Sequence, residues 1–278
     1  MNYALVVNDA YVIRFDITGK IPLRFQSEVL AYEYLQTSEV PVPEVIALDQ
    51  SKQLVPYEYL ITSKLEGTSV IDSWNSLSAK EQERIAYEAG TYLALIHSYT
   101  LERFGKLRDL PNGGFTYWYD YCADYFHRYA NQALAMNIID PSLRDRMQAV
   151  LEKYRPLLDT VRKGYLLHSD YHFENILQRK GVVSGIIDFE WAYAGDADVD
   201  FVVEDVCEQM CPGSTPHMYA GYASVRPLDA HHDLKMAFYK LYMYLEFVVS
   251  SKQYEDEASF QRTYARLVEA LEAFERGG

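Results

Sequence analysis

Apolar and polar positions change their period along the chain. Tyr3–Val7 and Ala10–Phe15 are apolar runs split by Asn8-Asp9, a pair suited to a tight turn, so the opening predicts a β-hairpin. From Phe25 the period lengthens. Phe25, Val29, Tyr32 and Leu35 recur every three or four residues, predicting a helix through Gln36 with Pro22 ahead of it. Pro41 and Pro43 close that region. Val45–Leu48 and Tyr57–Ser63 read as two more strands, and Lys64-Leu65-Glu66-Gly67 as a connector.

Beyond the connector the pattern turns helical. Ser78-Ala79-Lys80-Glu81 is a capping box, in which Ser and Glu satisfy free backbone donors at a helix start. The helix it opens is predicted to reach His97. A Tyr-rich helix follows over Thr116–Ala135, and another over Pro141–Val161, where Pro suits the first turn. Tyr165–Leu167, Ile176–Arg179 and Val182–Ile187 read as short strands, and Asp200–Met210, Ala230–Val249 and Ala258–Arg276 as helices. No internal repeat is present. Strands gather early and helices dominate afterwards, which is α+β rather than alternating βαβ. The expected organisation is a small β-rich lobe over residues 1–66 and a larger, mainly helical lobe over 67–278, with a ligand cleft between them.

Composition narrows the function classes. The 278 residues carry a formal net charge of −14, which repels nucleic acid phosphates and favours cationic partners. Cys122, Cys207 and Cys211 are too few and too irregular for a disulfide framework, and fit a reducing compartment. Cys207, Cys211 and His217 lack the ligand number and spacing of a zinc site, so buried thiols are expected. The N-terminus has no basic region followed by a long apolar run, and Glu246 interrupts the apolar stretch Leu241–Val249. A soluble, cytoplasmic protein without membrane contact is expected.

The densest chemical signal is Leu166-Leu167-His168-Ser169-Asp170-Tyr171-His172-Phe173-Glu174-Asn175-Ile176-Leu177, followed by Gly185-Ile186-Ile187-Asp188-Phe189-Glu190. An Asp and an Asn five apart lie between short apolar strands, and a later strand ends in a second Asp. Phosphoryl transfer asks for such a set: one carboxylate to orient the acceptor hydroxyl, and a carboxylate and an amide oxygen to hold magnesium. A hydrolase fits less well. His168, Ser169 and Asp170 are neighbours and cannot form a triad from one strand end, and no G-x-S-x-G elbow surrounds Ser169.

With these residues the chain resembles the aminoglycoside phosphotransferase and choline kinase group, relatives of protein kinases. That group shows H-G-D-x-x-x-x-N, then I-D-[FW]-[EGD], then G-D-P-x-x-D-[LF]. Here the corresponding residues are His168-Ser169-Asp170, Asn175, Ile187-Asp188-Phe189-Glu190 and Gly195-Asp196-Ala197-Asp198-Val199-Asp200-Phe201. The resemblance implies a protein-kinase-like two-lobe fold and a kinase that uses Mg2+ and ATP or GTP. It implies Asp170 as the catalytic residue, and Asn175 and Asp188 as metal ligands. It further implies His168 as a structural residue of the loop, Asp196 and Asp200 as braces behind it, and His172 and Glu190 as supporting or substrate-side residues. More loosely, Arg14 would meet the nucleotide phosphates and Glu28 would hold Arg14. The connector, including Ser63 and Leu65, would meet the purine through backbone groups, and His97 would be structural. One departure stands out: the group's first strand and phosphate-covering loop have no counterpart before Tyr3, and no Gly-rich segment precedes Arg14. We expect a truncated N-terminal lobe from a cut or misassigned start. An in-frame stop upstream of Met1, with no Gly-rich coding, would sink that expectation.

The resemblance leaves the acceptor open. From Gly181 to Val225 there is no Lys or Arg, while Asp188, Glu190, Asp196, Asp198, Asp200, Glu204, Asp205 and Glu208 lie there. Beyond what magnesium needs, that charge would attract a cationic acceptor such as an aminoglycoside, or it is a solvated acidic face. Tyr117, Trp118, Tyr119, Tyr121, Tyr125 and Tyr129, with Tyr239, Tyr242 and Tyr244, could bind sugars or quaternary ammonium groups, though at helical spacing core packing is the commoner use. An aminoglycoside leads, with a macrolide, choline, a sugar or homoserine as alternatives. A kinase-like binding module without catalysis is the reading from another class.

Overall fold

A computed structural model describes residues 2–21 and 23–277, so Met1, Pro22 and Gly278, including the readings made at Met1 and Pro22, lie outside the described residues. The chain opens with β1 (Asn2–Val7), β2 (Tyr11–Asp16), α1 (Gln26–Leu35), β3 (Val45–Asp49) and β4 (Glu58–Ser63). β5 (Thr68–Ser69) and α2 (Val70–Ser73) lead into α3 (Ala79–Ile96). The short strands β6 (Thr100–Leu101) and β7 (Gly105–Lys106) precede α4 (Trp118–Ala135) and α5 (Pro141–Leu158). Then come β8 (Gly164–Leu167), β9 (Ile176–Arg179), β10 (Val182–Ile186) and β11 (Tyr193–Gly195). The last helices are α6 (Glu204–Met210), α7 (Ser214–Val225), α8 (His232–Gln253) and α9 (Glu257–Gly277).

The fold is α+β and protein-kinase-like, with a small antiparallel sheet lobe and a helical lobe. By compactness the chain divides into two units. One holds the chain up to Gly114 with Lys163–Leu228, and the other holds Phe115–Arg162 with the chain from Asp229 onward. The boundary expected near residue 66 falls inside the first unit.

In the first unit an antiparallel sheet runs in the order β1-β2-β4-β3. Its hairpin turns at Asn8 and Asp9, both at positive φ (53° and 54°), the geometry that matches the twist of paired strands. Phe25, Val29 and Leu60 form the core under this sheet, joining α1 to β4. The later strands make a three-stranded sheet, β10-β9-β5, and a four-stranded one, β6-β8-β11-β7. These small sheets carry the loop that follows β8 and the one that follows β10. Behind them lies α3, whose capping box is formed by Ser78 and Glu81. It packs on α7 at very short range: a Cβ on Gly90 would lie 1.8 Å from the Met218 carbonyl oxygen, and one on Gly221 1.9 Å from that of Tyr87.

The second unit is four helices, α4, α5, α8 and α9. Phe126, Met147, Leu151, Phe238, Leu245, Leu267 and Leu271 are buried within it. Tyrosines and a tryptophan on α4 pack there too, and the Trp118 indole donates to the Tyr239 hydroxyl at 2.8 Å.

One expectation is corrected, and one helix lies outside the expected elements. Asp200–Met210 is not one helix: a 3-10 turn over Ala197–Phe201, capped by the Asp196 side chain, precedes α6. The turn holds its own i→i−3 bonds, and α6 restarts with Glu204 and Asp205 in its first turn, where the helix dipole favours acids. α7 is absent from the predicted helices because its buried face, Ser214, Met218, Gly221 and Tyr222, mixes small and large residues and gives only a weak apolar period.

Candidate active site

The loop between β8 and β9 leaves its strand through Ser169 at φ 68°. That bend frees backbone donors that no ladder can take, and a buried carboxylate meets them. Asp200 accepts the N–H of His168 at 2.8 Å and of Ser169 at 2.7 Å. His97, at the end of α3, lies 3.0 Å from the same carboxylate and 2.9 Å from the Tyr222 hydroxyl. His168 ties the loop forward: its Nδ1 accepts the Asp170 N–H at 3.3 Å and its Nε2 donates to the Ile187 carbonyl at 2.9 Å. Burial lowers the His168 pKa against the pull of the Asp200 and Asp170 charges, which keeps the ring neutral in that pairing.

Asp170 is gripped on both oxygens. Asn175 Nδ2 donates to its Oδ2 at 3.1 Å and to its main-chain oxygen at 2.9 Å, and His172 Nε2 lies 3.2 Å from Oδ1. Burial by itself would raise the Asp170 pKa, but the bond and charge of His172 outweigh it and the carboxyl sits below its ordinary value. His172 moves the opposite way: burial opposes its charge, Asp170 wins, and its pKa is raised. The Asn175 carbonyl accepts the Ile187 N–H at 3.0 Å, so the loop is stitched to the strand leading to Asp188 through both backbone groups of Ile187. Asp188 follows at φ 70°, with its N–H on the Tyr32 hydroxyl at 3.1 Å.

Two arginines face this acid segment. Arg14, on β2, pairs with Glu28 of α1 and donates to Asp188 Oδ1 at 3.0 Å. Tyr32 hands its hydroxyl hydrogen to the other Glu28 oxygen at 2.6 Å. Arg24, just before α1, forks onto Glu190 at 3.0 and 2.7 Å and lies 3.8 Å from Asp16. Asp16 and Arg24 were not singled out in the sequence, and Tyr32 was read only as part of the apolar period of α1. Arg24 and Glu190 are 166 positions apart, and no local spacing marks such a pair.

Residues 2–224 match the model of APH, the phosphotransferase enzyme family. The chain belongs to that family. No curated protein matches it by sequence. Among solved structures of the phosphotransferase fold it is similar to a thermostable mutant of aminoglycoside phosphotransferase APH(4)-Ia in its apo form. That pair has 18% identity and a TM-score of 0.72, covering 100% of this chain and 92% of the other. It is also similar to the gentamicin complex of APH(2")-IIa, with 16% identity and a TM-score of 0.67, covering 96% and 87%. The GDP complex of aminoglycoside 2'-phosphotransferase-IIIa gives 18% identity and a TM-score of 0.66, covering 98% and 89%.

A phosphotransferase site implies magnesium, and the residues fit it. Mg2+ takes oxygen ligands, usually one or two from the protein with waters and substrate phosphates completing the set. Asp188 offers a carboxylate, and Asn175 points its amide nitrogen at Asp170, which leaves Oδ1 for a cation. Beside them Arg14 pairs with Glu28 and Asp188, and Arg24 with Asp16 and Glu190. Among the described residues no cluster of three or more His, Cys, Asp or Glu makes a metal cage on its own.

The remaining expected residues sort differently in this phosphotransferase. The Ser63 N–H is donated to the Glu44 carbonyl at 2.8 Å and its hydroxyl accepts the Glu44 N–H at 2.9 Å. Leu65 leans on Gly185, where a Cβ would meet it at 2.6 Å. The acids of the 181–225 stretch are largely engaged within the fold. Glu190 holds Arg24, Asp196 caps a turn, Asp200 braces the loop, Glu204 accepts from Tyr219 and Glu208 caps the start of α7. On α4, Tyr125 and Tyr129 both donate to Glu246, with Arg128 over their rings. Cys207 and Cys211 are buried and their thiols are pushed up to about 12 by that burial. Among the described residues no helix is long and apolar enough to cross a membrane.

Proposed function

We propose that the protein transfers the γ-phosphoryl group of ATP or GTP to a hydroxyl of a small molecule, with an aminoglycoside as the leading acceptor. The observation that carries this reading is the stitched frame of Asp170, Asn175 and Asp188: Asn175 bonds Asp170 through its side chain and the strand of Asp188 through its carbonyl. Phosphoryl transfer demands little covalent chemistry from the protein and much positioning. Asp170, low in pKa and fixed by two donors, would orient the acceptor hydroxyl and take its proton as the bond to phosphorus forms. Asn175 and Asp188 would hold magnesium, which when bound offsets the charge of the phosphates. Arg14, steadied by Glu28, would meet those phosphates as a rigid fork where a lysine would be a point charge. Ser63 to Leu65 would lie along the base, offering Leu65 and the main chain rather than the Ser63 N–H.

An aminoglycoside is favoured by the net charge of −14 and by the structural neighbours, which include complexes with gentamicin, kanamycin and streptomycin. The acids of residues 181–225 add little to that case, because most are engaged in the fold. Kinases for a macrolide, choline, a sugar or homoserine remain the alternatives. The three cysteines are free thiols, in keeping with a cytoplasmic setting. A thermal-shift assay with ATP and GTP tests the donor half: the midpoint should rise with nucleotide only when magnesium is present. No shift with either nucleotide would contradict the proposal.

A further inference from the structure

We infer that Arg24 is a positioning residue for the metal-binding acid, acting through Glu190 with Asp16 as its second anchor. The inference rests on the phosphotransfer reading above. Arg24, Glu190 and Asp16 are all buried, at 8%, 7% and 3% exposure. The Arg24 fork takes both Glu190 oxygens, Nε to Oε2 at 3.0 Å and Nη2 to Oε1 at 2.7 Å. Asp16 Oδ1 lies 3.8 Å from Arg24 Nη1 and accepts from the Thr18 N–H, the Thr18 hydroxyl and the Gly19 N–H. One carboxylate therefore fixes both the turn that leaves β2 and the guanidinium that the turn leads towards.

The placement gives this clamp its purpose. Glu190 stands two residues beyond Asp188, whose φ of 70° is a conformation that a non-glycine residue keeps only when its surroundings hold it. Arg14 pulls on Asp188 itself, and Arg24 pulls on Glu190. The two bridges run side by side. Both start on β2, at Arg14 and Asp16, which share one face of the strand. Arg14 reaches Asp188 directly and is held from the side by Glu28 of α1, whereas Asp16 reaches Glu190 through Arg24, and both bridges end on the acid segment. A buried ion pair is a weak source of stability compared with apolar side chains of the same volume, so stability alone does not account for the pair. Direction does: a two-pronged contact sets the path of the backbone through Asp188.

The test replaces the pair by apolar side chains in the double variant Arg24→Met/Glu190→Met, beside the single variant Arg24→Lys. Mn2+ binding is measured by electron paramagnetic resonance with a non-hydrolysable ATP analogue present, together with circular dichroism and the KM for the metal–nucleotide complex. The double variant is expected to fold as the wild type does yet bind Mn2+ about tenfold or more weakly, as loss of a ligand's support does elsewhere. Arg24→Lys, which keeps charge and loses the fork, should fall between. A folded double variant with wild-type Mn2+ affinity and KM would overturn the inference. If the double variant does not fold, Arg24→Lys decides, and wild-type affinity there overturns it equally. Should the wild-type protein bind no Mn2+ with nucleotide, the phosphotransfer reading falls, and this inference with it. Loss confined to the variants leaves that reading standing.

Discussion

Asp170 carries donors on both oxygens, and that constraint sets what substitution should do. Asp170→Asn removes the charge but keeps the shape. It should lower kcat by about 10²- to 10⁴-fold, the range for losing a positioned acid–base group, with an unchanged circular dichroism spectrum. Asp188→Ala should abolish magnesium-dependent turnover and leave the fold intact. His168 gives a pH signature. Its pKa is lowered by burial, so the unfolded chain binds a proton more readily than the folded one as pH falls through about 6.5. Its stabilising share is therefore full above that pH and lost below it. The gap in thermal midpoint between wild type and His168→Gln should shrink from pH 7 to pH 5, and a gap that widens would contradict the neutral pairing. The grouping of Asp170, Asn175 and Asp188 was legible because it depends on local spacing between strands. Arg24, Asp16 and Tyr32 were not, because each is defined by a partner brought close only by the fold.

Helices and strands with a clear period were read close to their observed bounds. The hairpin turn at Asn8-Asp9, the capping box of α3 and the Pro141 start of α5 all follow from local chemistry. α7 shows where that reading stops. Its contact with α3 depends on the absence of side chains at Gly90 and Gly221, and such gaps, set among Met218 and Tyr222, weaken the apolar period that marks a helix. Gly221→Ala should therefore destabilise the protein by about 1–3 kcal/mol through overpacking, measured as a lower denaturant midpoint with an unchanged slope. The broken helix at residues 200–210 has a similar origin. Asp200 is committed to the His168 and Ser169 amides, and the 3-10 turn aims it there.

The whole chain is acidic, and most of the acids near the site belong to internal pairs. Long-range attraction then falls to the net charge of −14, which acts on the rate of encounter and is screened by salt. For a cationic acceptor, kcat/KM should fall as ionic strength rises from 20 to 200 mM while kcat stays nearly constant; a salt-independent kcat/KM would argue for a neutral acceptor such as a sugar. The central claim is the transfer itself. Its most direct test is mass-spectrometric detection of a phosphorylated product after incubation with ATP or GTP, magnesium and a panel of aminoglycosides, macrolides, choline, sugars and homoserine. The wild-type protein should add one phosphoryl group to at least one aminoglycoside, and Asp170→Asn should leave that acceptor essentially unmodified. No phosphorylated acceptor with the folded wild-type protein, or equal product from Asp170→Asn, would contradict it.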